Sequence, residues 1–135
     1  MEAVAADFLA ETEALCELLA PLPDDYFSER PTGFKDWTLD SIIAHLHSGN
    51  HMAQLSLVEP KAFLEIRAGR RELGLAEGLS GQALLRDYVA FARTMAASWA
   101  TQDPKARLEW YPRSPQPVHI LAARSLCRRL TMVCA

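Results

Sequence analysis

The chain has no long apolar run. Nothing in its 135 residues approaches the roughly 18 consecutive apolar positions of a membrane span, so no membrane-crossing helix is expected. It also lacks a positive excess: 14 basic against 17 acidic side chains give a formal charge of −3. A nucleic-acid binder needs a basic face to meet phosphates, and none is expected here. Arg124, Arg128 and Arg129 read as a solvated helix face. Cysteines are few. Cys16, Cys127 and Cys134 are an odd number at no metal-site spacing, so they read as free thiols of a reducing compartment rather than a disulfide framework. A secretory leader would begin basic and turn apolar. Here Glu2, Asp7, Glu11 and Glu13 interrupt the first turns, and a cytoplasmic location is expected. The glycines at 69, 74, 78 and 81 are scattered and open no phosphate-cradling loop. No stretch sustains the period of two that a half-buried strand requires, so no sheet is expected.

What is present is helical periodicity. Half of the residues are apolar, enough for one sizeable core in a single domain spanning residues 1–135. Val4, Phe8, Leu15, Leu18 and Leu19 mark a first helix over 3–20, stopped by Pro21 and Pro23. A connector at 24–36 has room for one helical turn near Tyr26. Thr38 then caps a second helix running to about residue 57, with Ile42, Ile43, Leu46 and Ala53 on its apolar stripe and Asp40 at its positive end. Pro60 opens a short helix to residue 68. Ser80 is placed to cap a third long helix through Trp99, closed by Asp103-Pro104. The proline-rich segment 105–117 should be extended or looped. Residues 118–135 make a short last helix with Ile120, Ala123, Cys127, Leu130 and Cys134 on one face. The fold class expected is all-α, an up-and-down four-helix bundle with a short or truncated last helix.

Three of the four histidines fall within seven residues, at His45, His47 and His51 on the second helix. His47 and His51 are four apart and share a face, so they could grip one metal ion; no third ligand lies near them in the sequence. His45 is rotated roughly 120° from His51 and flanks the apolar stripe beside Ile42 and Met52. The bland alternatives are a core-edge histidine with one hydrogen bond and a solvated pair. Trp37, Trp99 and Trp110 read as core or core-edge residues.

The stretch Phe34-Lys35-Asp36-Trp37-Thr38, followed by Ile42-Ile43-Ala44-His45-Leu46, resembles the DinB-like metal-binding superfamily, specifically the N-terminal domain of mycothiol-dependent maleylpyruvate isomerase and its relatives. Those proteins carry a Gly-Trp-Thr turn and then a His-Leu pair at this spacing; Asp36 replaces the glycine here. Phe8, Glu11 and Leu15, the run Leu55-Ser56-Leu57 before Pro60, and Asp103-Pro104 through Trp110 are similar too, so the likeness covers roughly residues 5–111. It implies a bundle holding one divalent metal, zinc or nickel. The first ligand is the histidine matched by His45; a glutamate and a histidine follow on the last helix. It also implies a low-molecular-weight thiol partner and a small-molecule substrate.

The last two ligand positions depart from the family pattern. Ala123-Arg124 matches an Ala-Arg pair, but the glutamate position falls on Cys127 and the histidine position on Thr131. The sequence diverges from residue 112 onward, as a truncated, frame-altered or truly divergent C-terminus would. Two functions follow from the resemblance and this departure. One is a metal protein that activates a thiol for isomerisation or transfer on a small metabolite, with His45 and Cys127 as ligands. The other is a non-catalytic bundle, a binding module or an inactive homologue, that has lost the metal. The bundle interior is expected to receive His45 rather than the His47–His51 pair.

Overall fold

The computed structural model describes residues 1–75, 77–111 and 114–117. Five helices lead the chain: α1 (Glu2–Leu19), α2 (Asp24–Glu29), α3 (Leu39–Val58), α4 (Pro60–Arg67) and α5 (Gly81–Ala100). A two-stranded antiparallel ribbon follows, β1 (Arg107–Tyr111) with β2 (Ser114–Pro117). The all-α bundle stands, with α5 packed between α1 and α3. The ribbon corrects the expectation of no sheet. Its strands are too short for a period of two to register, and Pro115 and Pro117 lack the amide that a central strand must donate. β1 lies against α3. The expected last helix, with Cys127 and Thr131, falls outside the described residues.

The core is graded along the bundle. At one end Leu15 and Leu19 of α1, Phe27 of α2, Ile43 and Leu46 of α3, and Leu85 and Tyr88 of α5 bury large side chains together. At the other end Ala5, Ala53, Ala92 and Ala96 keep the helices close. Phe8 and Trp99 fill that end, their ring centroids 5.3 Å apart. Thr12 is fully buried and donates its hydroxyl to the Phe8 carbonyl at 2.9 Å, so a polar side chain crosses the α1 interior at no hydrogen-bond cost.

The start of α5 is held by other elements. Ser80 occupies the N-cap position, but its side chain makes no cap bond. Two carboxylates from distant chain positions act instead. Gly81 N–H donates to Asp40 Oδ1 at 2.7 Å, and Gln82 N–H donates to Asp24 Oδ1 at 2.8 Å. A helix N-terminus carries unpaired amides and partial positive charge, and both are met here. The Gln82 side chain works in the opposite sense. Its Nε2 donates to the carbonyls of Leu19 at 3.1 Å, Ala20 at 3.3 Å and Leu22 at 2.8 Å, at and just beyond the end of α1. Gly81 makes this junction possible. Its φ is +56°, and a Cβ there would collide with the Asp24 carboxylate.

Gly81→Ala should therefore cost about 2–3 kcal/mol, combining left-handed strain with displacement of the Asp24 cap. Urea denaturation monitored by circular dichroism measures it; a loss under about 0.5 kcal/mol would show that the junction is loose.

Candidate functional site

The turn before α3 is built from the Phe34–Thr38 stretch. The Trp37 carbonyl accepts from Thr32 N–H at 2.8 Å and from Thr32 Oγ1 at 2.7 Å, while Trp37 N–H returns to the Phe34 carbonyl at 2.9 Å. The chain can close this tightly because Lys35 and Asp36 both take left-handed backbone, with φ of 51° and 57°. Thr38 then caps α3, accepting from Ser41 N–H at 3.2 Å. The closed turn sets the Trp37 ring edge-on to His45, with centroids 5.5 Å apart and planes at 73°. Seven residues separate Thr38 from His45, close to two helical turns, so the cap and the histidine lie on the same side of α3. The Trp-Thr-to-His spacing thus has a structural cause: it brings Trp37 against His45.

His45 is half-buried. His47 is the histidine that the bundle interior takes, with only 4% of its surface exposed. This corrects the expectation that His45 rather than the pair would face inward, and it also removes the solvated-pair alternative. The reason is the seat of α5. It lays Asp87, Tyr88 and Phe91 over the flank of α3 that carries His47 and His51, turning a face that looked solvent-exposed into a seam between helices. His47 Nε2 meets Asp87 Oδ2 at 2.9 Å. The His47 ring stands edge-on to His51 at 4.7 Å and to Tyr88 at 6.1 Å. His51 stacks on Phe91 with centroids 3.6 Å apart and planes 11° from parallel. Farther along the seam, Gln54 Nε2 donates to Ser98 Oγ at 3.1 Å. Burial, and next the neighbouring His47, push His51 below the ordinary histidine value of 6.5; Asp87 pulls partly the other way.

Among the described residues no three His, Cys, Asp or Glu side chains stand where they could hold a metal ion together. His45 is therefore a single candidate ligand, and Cys127 lies outside the described residues. Asp87 is the site residue that sequence reasoning missed. It lies forty positions from His47, and only its helical spacing from Phe91 hinted that both would meet the same neighbour.

Residues 8–132 match the family described as the mycothiol maleylpyruvate isomerase N-terminal domain. The chain belongs to that family. The match continues past residue 111, where the shared motifs quoted above end. No curated protein and no solved structure matched the chain. Among the described residues no helix is long and apolar enough to cross a membrane.

Two outcomes are expected from this geometry. Asp36→Gly should stabilise the fold by about 0.5–1 kcal/mol, because glycine takes left-handed backbone without strain. Equilibrium denaturation checks this, and a loss of stability would mean that the Asp36 side chain holds the turn. His51 gives a pH dependence. Its folded pKa is lowered, so the unfolded chain binds the extra proton first as pH falls. The stability associated with neutral His51 is present above 6.5 and is lost as pH drops from there toward the folded value. In metal-free protein the urea midpoint should fall between pH about 7.5 and about 5.5, and His51→Gln should flatten that slope. Equal slopes in both proteins would assign the effect elsewhere.

Proposed function

We propose that this chain is a small-molecule protein of the maleylpyruvate isomerase type. It works with a low-molecular-weight thiol, and its centre for a divalent metal, zinc or nickel, is weakened. The observation that carries this reading is the donor set. His45 sits where the family's first ligand is expected, fixed by the Trp37 turn, while the positions of the other two ligands hold Cys127 and Thr131. Three oriented protein ligands are what keep an open catalytic centre in shape. A histidine, a thiolate and a neutral hydroxyl do not fit that requirement. In a complete centre the metal would act as a Lewis acid and lower the pKa of a bound thiol.

What this chain's own residues supply is position. Thr38 and the closed turn before it fix the first residues of α3, and Trp37 restrains the half-buried His45 ring. Thr131 also supports the second reading, a non-catalytic binding bundle, because a hydroxyl in place of a histidine removes the strongest remaining ligand.

The deciding experiment restores the ligands. Cys127→Glu with Thr131→His, made in a His51→Gln background to remove the alternative pair, should raise zinc or nickel affinity by about tenfold or more in calorimetric titration, and His45→Ala should abolish the gain. An affinity that is already tight in the His51→Gln background and is unmoved by the double substitution would sink the reading.

A further inference from the structure

We propose that His47 and His51 form a separate two-histidine clip for a divalent transition metal ion in the α3–α5 seam, with the Asp87 carboxylate orienting His47. This site is distinct from the His45 position and does not depend on it.

The first argument is spacing. Imidazoles four residues apart on a helix project to one side and can reach one ion. The structure gives their ring centroids as 4.7 Å apart and their planes as 83° apart. Two imidazoles that each bind an ion at about 2.0–2.1 Å sit at a comparable separation.

The second argument is the state of His47. The ring is buried, its Nε2 is engaged by Asp87 Oδ2 at 2.9 Å, and its Nδ1 is buried with no hydrogen-bond partner among the described residues. A carboxylate on Nε2 selects the tautomer that carries its proton there and leaves a bare lone pair on Nδ1. Metal-binding histidines commonly hold their second nitrogen against a carboxylate in this way, which fixes the ring and raises its basicity. A buried acceptor with nothing to accept is costly, and a cation would relieve it.

The third argument is His51. Stacking on Phe91, with centroids 3.6 Å apart, fixes the plane of its ring, and a half-turn about the Cβ–Cγ bond exchanges its two nitrogens between the ring edges without breaking the stack. Asp87 is about half exposed, with 49% of its side chain in solvent, so the seam reaches the surface beside His47. Because no third ligating side chain converges among the described residues, the remaining coordination positions fall to water. Imidazole donors with open positions suit zinc, nickel or copper rather than magnesium or calcium.

The test is titration of the full chain with zinc chloride and with nickel chloride by calorimetry, alongside nitrogen-15 spectra of the histidine rings. Binding is expected to weaken by about 10–100-fold in Asp87→Asn, to be lost in His51→Gln and to be unchanged in His45→Ala. The metal-free spectrum should show His47 protonated on Nε2 and bare on Nδ1, and metal should shift the Nδ1 signal. His51 and Asp87 lie at the edge of the seam, so both variants test the site even if His47→Ala fails to fold. Binding that survives His51→Gln, or His47 carrying its proton on Nδ1, would overturn the clip. Loss in His45→Ala with retention in His51→Gln would place all metal binding at the family position instead.

Discussion

The geometry of the whole bundle depends on how the first two residues of α5 are held. A helix beginning inside a protein leaves amides that need acceptors, and here Asp40 and Asp24 reach them from α3 and α2. Gln82 closes the end of α1 in the same place. One junction therefore satisfies the polar ends of two long helices and registers four elements against each other. It also sets the height at which α5 passes α3. A shift of one helical step along that seam would move Asp87 away from His47 and Phe91 away from His51.

Packing then decides how close the helices come. The large side chains around Phe27 and Tyr88 fill the end nearest the junction, and the alanines at 53, 92 and 96 narrow the other end. The result is a seam in which polar side chains on α3 meet polar side chains on α5 at hydrogen-bond distance, from His47 with Asp87 to Gln54 with Ser98. Burying such groups is tolerable when they find partners; His47 Nε2 and Gln54 Nε2 do, whereas Gln54 Oε1 does not among the described residues. His47 Nδ1 is a second such atom, and it lies on the residue that is buried most deeply among the described histidines.

The two histidine environments differ in kind. His45 is presented by a local device: the left-handed turn at Lys35 and Asp36, the cap at Thr38 and the edge of Trp37 all lie within eleven residues of it. His47 is presented by a distant one, since every ring and carboxylate described around it other than His51 comes from α5. Family membership bears on the first environment, because the Trp-Thr-to-His spacing belongs to the shared motif. The second is built from residues that the motif does not include.

The sequence by itself determined the local features. The helical stretches, the Pro21, Pro60 and Thr38 boundaries, and the family all follow from periodicity, proline chemistry and a short motif, whose causes act within a few residues along the chain. Even the ribbon was partly legible as an extended proline-rich segment, although five residues of β1 are too few to show an alternating face. Tertiary structure decided what depends on contacts between distant positions. Ser80 was a good cap by residue type, yet Asp40 and Asp24 do the capping, because helix docking brought stronger acceptors to those amides. His45 lay beside the apolar stripe, yet His47 is buried, because a helical wheel shows which residues share a face and not which face another helix will cover. That choice belongs to the seat of α5, and no spacing within α3 encodes it.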